Sequence, residues 1–210
     1  MSEEDTCTGA EFTGTKEVSE NLKFDQNRLQ QWMDANIQSS GKILQIEQFN
    51  GGQSNPTYKI TTNNKKLVLR RKPPGKLLPS AHAVDREYKV ISALAETNVP
   101  VPKTYVLCDD SDVVGTPFFV MHFLEGEVYW DHMLPSASNE ERIKIYQQKN
   151  KVLANLHSVD YKAVGLESYG KPGNYVARQV SRWTTQYLAS ETESIPEMDK
   201  LIEWLPQNIP

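Results

Sequence analysis

Asn50-Gly51-Gly52-Gln53-Ser54-Asn55-Pro56-Thr57-Tyr58, followed by Lys59–Thr62, Asn63-Asn64 and Lys65–Arg71, is the stretch whose reading decides the fold. It reads as a glycine-containing turn between two strands, then a tight hairpin into a third. Paired glycines let backbone N–H groups approach a ligand with no Cβ in the way, and successive N–H groups in a turn make a concave anion site. Ser54 and Asn55 add short side-chain donors at the same place. Strand side chains alternate between faces, so the cation of Leu67-Val68-Leu69-Arg70 shares its face with Val68. A phosphate cradle with a cation beside it is the chemistry of a nucleotide site.

Working outward, Asp25 can cap a helix running to about Ser39, with Leu29, Trp32, Met33 and Ile37 on one face and Gly41 as its stop. Ile43, Ile46 and Phe49 lead as a strand into the glycine turn. Asn63-Asn64 tolerate the positive φ that a two-residue hairpin turn demands. Pro73-Pro74-Gly75 closes the third strand, because proline cannot continue a central ladder. Ser80 is the next N-cap, and Val84, Tyr88, Ile91 and Ala95 recur at helical spacing to about Glu96. Asn98–Pro102 breaks that helix, and Thr104–Cys108 and Phe118–Leu124 pair as strands around the turn Asp109–Thr116. The expectation is an α+β lobe over residues 23–125, with a five-stranded antiparallel sheet and one main helix. The polar, acidic residues 1–22 read as a disordered tail.

Past Gly126 the pattern becomes helical, giving a partial helical lobe over 126–210. Ser138-x-x-Glu141 is a capping box opening a helix with Ile143, Tyr146, Leu153 and Leu156 inward. Asn174 can cap a second helix bearing Val176, Val180, Trp183 and Tyr187. Ser194-x-x-Glu197, with Pro196 in the first turn, starts a third with Met198, Leu201, Ile202 and Leu205. These last two helices are expected to expose apolar faces.

The totals exclude several classes. A net charge of −4 over 210 residues lacks the basic field of a sequence-independent nucleic-acid binder. No run of about 18 apolar residues exists to span a membrane. The acidic first twenty residues fit neither a secretory signal nor a basic presequence, so an intracellular protein is expected; the chain does not end in Ser-Lys-Leu. Cys7 and Cys108 lack CxxC spacing and read as free thiols. His82, His122, His132 and His157 show no metal-ligand spacing, so no metal site is expected. Gly165–Pro172 mimics a Walker A spacing but places proline where Mg²⁺ needs Ser or Thr.

Glu87 is the most informative residue after Arg70. It lies on the edge of the Val84–Ile91 stripe, and its own helix supplies no cation three or four positions away. An inward carboxylate needs a cation, and Arg70 is the nearest candidate in chain order. The other reading is a solvated flank residue.

Together these parts resemble the N-terminal lobe of the protein-kinase-like fold, most closely its aminoglycoside phosphotransferase-like branch. The matching features are Gly51-Gly52-x-Ser54-Asn55, Leu69-Arg70-Arg71-Lys72-Pro73-Pro74-Gly75, Arg86-Glu87-Tyr88, Val120-Met121-x-x-x-Glu125-Gly126 and Leu153-Ala154-x-Leu156-His157. The run Lys72–Ala81 and the Gly170–Trp183 segment resemble the kinase-like domain of acyl-CoA dehydrogenase family members 10 and 11. The resemblance implies that Gly51, Gly52, Ser54 and Asn55 cradle phosphates, while Arg70, held by Glu87, contacts them. It implies that Val68 lines the adenine site and that Met121, His122, Phe123 and Leu124 offer backbone groups to the adenine edge. ATP with Mg²⁺ and a small hydroxylated substrate, in that family 4-hydroxyacyl-CoA, are the implied ligands. FAD belongs to a fused dehydrogenase module, and peroxisome or mitochondrion is the implied compartment. The family's His-Gly-Asp…Asn catalytic loop does not occur in the sequence, so no catalytic residue is assigned and the chain reads as truncated before that loop. The alternative reading is a non-catalytic binding or scaffold protein that keeps part of the kinase fold.

Overall fold

The third strand of the opening stretch forms the middle of a six-stranded antiparallel sheet in the order β1-β2-β3-β4-β6-β5. The computed structural model describes residues 13–51, 54–75, 82–170 and 173–209. Its strands are β1 (Thr15–Lys16), β2 (Ile43–Phe49), β3 (Thr57–Thr62), β4 (Lys66–Arg71), β5 (Thr104–Cys108) and β6 (Phe118–His122). Strand β4 lies between β3 and β6, and Leu67, Val68 and Leu69 are buried on both of its faces. That accounts for its unbroken apolar run.

Two expectations about this sheet are corrected. There are six strands rather than five, because Thr15 and Lys16, inside the stretch read as a tail, pair with Phe49 and Gln48 of β2. The pairing is tied by side chains: Thr15 Oγ1 donates to Glu47 at 2.7 Å, and Asn50 Nδ2 donates to the Thr13 carbonyl at 2.6 Å. The β3–β4 hairpin does close on Asn63-Asn64, but neither has positive φ. Thr62 Oγ1 instead accepts the N–H groups of Asn64 at 3.2 Å and Lys65 at 2.8 Å, which satisfies the turn from the side chain. Gly41, at φ 78°, packs so tightly on this turn that a Cβ would collide with Asn63 Oδ1.

Helix α1 (Gln26–Asn36) begins where Asp25 accepts the N–H groups of Asn27 and Arg28 at 2.8 and 3.2 Å. It ends earlier than Ser39, with Ile37 already extended. Its Leu29 and Met33 join Ile37, Tyr58, Ile60, Leu67, Leu69, Phe118 and Val120 in one core cluster. Trp32 packs edge-on to Phe118 at 4.7 Å. Each such side chain contributes roughly 1.5–3 kcal/mol on full burial. Helix α2 (Val84–Leu94) lies against β5 and β6, with Tyr88 edge-on to Phe119 at 5.9 Å. Ala83 holds its N-cap position, and Ser80, expected there, lies outside the described residues. The turn expected over Asp109–Thr116 contains a helical turn, α3 (Ser111–Val114), capped by Asp110 and closed by Gly115 at φ 93°.

Arg71 is buried among these elements, only 3% exposed, and makes no ion pair with a carboxylate among the described residues. It donates to the carbonyls of Val114 and, at 3.0 Å, Leu22, and lies over the rings of Phe24 and Tyr58 at 5.3 and 5.4 Å. Burial lowers its pKa from the ordinary arginine value and raises that of Tyr58.

The remaining helices are α4 (Asn139–His157), α5 (Tyr175–Ser190) and α6 (Pro196–Trp204). The α4 capping box forms as expected, but Ile143, Tyr146, Leu153 and Leu156 are 39–58% exposed rather than inward. Among the described residues nothing covers that stripe. In α5 the N-cap Asn174 sits in the left-handed region at φ 49° and makes no side-chain cap. In α6 Ile195, not Ser194, is the N-cap; Ser194 Oγ bonds Asp199 at 3.2 Å instead. Tyr175, Trp183, Leu201 and Trp204 are exposed, as the pattern led us to expect. The chain divides into two compact units between Gly165 and Leu166, so Gly126 falls inside the first.

Candidate nucleotide site

The register of the central hairpin builds this site. With the turn on Asn63-Asn64, Thr57 stands opposite Arg70, and Lys59 opposite Val68. Val68 in turn pairs with Met121 of β6. Thr57, Lys59, Val68, Arg70 and Met121 therefore share one face of the sheet, while Tyr58, Leu69 and Arg71 serve the other.

Arg70 and Glu87 meet across that face, as the sequence led us to expect. Arg70 Nε lies 2.5 Å from Glu87 Oε2, Nη2 donates to Oε1 at 3.3 Å, and Nη1 donates to Thr57 Oγ1 at 2.9 Å. Only 26% and 35% of the two side chains is exposed, which decides against a solvated flank residue. A half-buried pair of this kind contributes about 1 kcal/mol at most; its consequence is orientation. A guanidinium has five N–H donors, and three of them bond described residues.

Asn55 is buried beside this pair. It is 3% exposed, and its Nδ2 donates to Glu87 Oε1 at 2.9 Å. Its Oδ1 lies 2.9 Å from His82 Nδ1. Both ends of the amide are thus bonded to protein. Gly51 is half-buried and Ser54 exposed beside it; Gly52 lies outside the described residues.

At the far end of the face, β6 stops at His122, so Phe123 and Leu124 lie beyond the strand. His122 N–H is spent on the Lys103 carbonyl at 2.8 Å and Phe123 N–H on the Lys66 carbonyl at 3.2 Å. Leu124, 60% exposed, is the first residue past those commitments. Phe49 and Phe123 stack at 6.3 Å with Lys59 over the Phe123 ring at 5.4 Å, forming an aromatic and cationic wall beside Val68.

Thr57, Lys59 and His82 were not singled out as site residues from the sequence. The first two were accessible by counting back from Asn63-Asn64; His82 carries no pattern, because its place depends on how the chain enters α2 at φ 58°. The Walker-like Gly165–Gly170 run is turn structure with no strand before it. Among the described residues no three His, Cys, Asp or Glu side chains converge to hold a metal, and no helix is long and apolar enough to cross a membrane.

Residues 45–210 match the family model described as the phosphotransferase enzyme family. The chain is 46% identical over 198 residues to mouse acyl-CoA dehydrogenase family member 10, covering 93% of this chain and 18% of that protein. It is 42% identical over 200 residues to rat acyl-CoA dehydrogenase family member 11, covering 93% and 26%. It thus spans about a quarter or less of these relatives. A crystal structure from Ralstonia eutropha assigned to the aminoglycoside phosphotransferases superposes with a TM-score of 0.75 at 50% identity, covering 90% of this chain and 54% of that one. The GDP complex of aminoglycoside 2'-phosphotransferase-IIIa shares the fold, with a TM-score of 0.56 at 15% identity over 88% of this chain and 59% of that one.

Proposed function

This chain belongs to the phosphotransferase enzyme family, and from that premise we propose that its sheet face holds the phosphates of a nucleoside triphosphate through Arg70. The observation that carries this is the Arg70–Glu87 pair: a cation clamped by a carboxylate on a neighbouring helix. Arginine suits the post, since it stays charged and forks to carboxylate and phosphate together. The Gly51–Ser54 turn supplies N–H groups above the phosphates, Val68 and Met121 floor the base, and Leu124 offers the first backbone group beyond the sheet. The nucleotide we favour is ATP; GTP is the comparison, because the structurally similar 2'-phosphotransferase-IIIa was solved with GDP.

The whole protein of which such a domain is part would move the γ-phosphoryl to a small hydroxylated acceptor. Kinship with acyl-CoA dehydrogenase family members favours a hydroxylated acyl-CoA. The described residues offer no carboxylate cluster for Mg²⁺, and the sequence holds no His-Gly-Asp loop, so no step of transfer is assigned to them. What these residues do is bind, orient and neutralise.

Calorimetry with Mg·ATP and Mg·GTP on the chain and on Arg70→Ala is the test. Binding by the parent chain that falls at least tenfold in the variant is expected. A parent chain that binds neither nucleotide would sink the proposal.

A further inference from the structure

Arg70 is held by Glu87, but Glu87 needs holding too. Its carboxylate, on a half-exposed helix face, has many rotamers, and Arg70 alone cannot choose among them. The residue that does so is Asn55, at the end of the glycine turn. Its Nδ2 meets the same Oε1 that accepts from Arg70 Nη2, at 2.9 Å. An amide can flip and present oxygen instead of nitrogen, which would set two acceptors against each other. Glu87 excludes this, because a carboxylate only accepts. The amide oxygen then faces His82 Nδ1 at 2.9 Å, and the tautomer with its proton on Nδ1 completes the bond. Asn55 is 3% exposed, so no water can easily take either place.

We propose that Asn55 is a positioning residue rather than a phosphate ligand: backed by His82, its amide fixes the rotamer of Glu87 and so aims Arg70 at the anion. The inference rests on the nucleotide reading of the same face. It also joins three parts of the chain mechanically, namely the glycine turn, the entry to α2 and the cation of β4.

The test uses the full chain labelled with ¹⁵N, reading the Arg70 Nε–H resonance and Mg·ATP affinity in parallel. Asn55→Asp keeps the shape and the bond from His82 but sets a second carboxylate oxygen against Glu87. It is expected to shift the Arg70 Nε–H signal, speed its exchange with water and weaken Mg·ATP about tenfold, the worth of one charge-assisted hydrogen bond. In an Arg70→Ala background the same change should cost no further affinity, because the effect travels through Arg70. His82→Ala should give a smaller loss of the same kind. His82→Asn should restore both readouts, since asparagine tolerates the positive φ and carries a donor where Nδ1 stood.

Unchanged Arg70 Nε–H behaviour in Asn55→Asp overturns the proposal, as do losses that simply multiply with Arg70→Ala. If Asn55→Asp does not fold, the His82 pair decides alone. A chain that binds neither Mg·ATP nor Mg·GTP refutes the nucleotide reading, while the Arg70 signal still reports whether Asn55 holds the pair.

Discussion

The sheet and the helices α4–α6 carry apolar patterns of similar clarity and use them differently. Among the described residues of the sheet, seven large side chains are essentially fully buried, Tyr58, Phe118, Phe119 and Leu69 among them. In α4, α5 and α6 no residue is buried at all. Periodicity, then, records which face an element offers and says nothing of whether the face is taken. Helices are locally hydrogen-bonded and can exist on caps and propensity, whereas a strand has no partner for its backbone until a neighbour arrives. The sheet therefore had to assemble in order to exist, and its core came with it.

The largest expected effect that would break this contrast lies at its most packed points. Phe118→Ala should cost about 3–5 kcal/mol in urea unfolding, while Leu153→Ala, on the exposed stripe of α4, should stay within about 0.5 kcal/mol. Comparable losses at both would show that the stripe is covered in solution. Arg71→Ala should follow at about 3 kcal/mol, since it strands two carbonyls and the rings of Phe24 and Tyr58 at once. Arg70→Ala, one residue away on the half-exposed face, should cost about 1 kcal/mol in the same assay. Adjacent arginines thus separate a fully buried cation from a half-buried one.

Two smaller effects depend on pH. Burial pushes the Cys108 thiol above its ordinary value, so the fold favours the neutral form. That contribution is complete below the thiol's usual pKa and is lost as pH rises through the folded one. Cys108 should consequently resist thiol labelling at pH 8 until denaturant is added, and rapid native labelling would contradict its burial. At the other region, the Ser138 backbone N–H and hydroxyl hold the Glu141 carboxyl below its usual range. Its support for α4 is present above the ordinary carboxylate value and fades as pH falls through the folded one. Glu141→Gln should flatten the acid limb of helicity followed by circular dichroism, with little change at pH 7.

Much of the site could be read before any coordinates. The Arg70–Glu87 partnership followed from an inward carboxylate whose own helix held no cation, and the hairpin centre at Asn63-Asn64 fixed which residues stand opposite one another. The reading failed where a side chain outcompeted a local rule. Thr62 closed the turn without positive φ, and Thr13 and Thr15 drew an acidic stretch into the sheet.

By itself the sequence determined the periods: alternation in β3 and β4, helical spacing in α1, α2 and α4–α6, the caps at Asp25 and Ser138, and a cation on the same face as Val68. Tertiary structure alone decided which of those faces found a partner, why Arg71 is buried over the rings of Phe24 and Tyr58 while Arg70 is half-buried against Glu87, and which way the Asn55 amide points. The physical reason is range. Periodicity and caps act within a few residues, where the chain is its own context. The direction of a buried polar group is set by neighbours 27 and 32 positions away, whose places are known only once the backbone has folded.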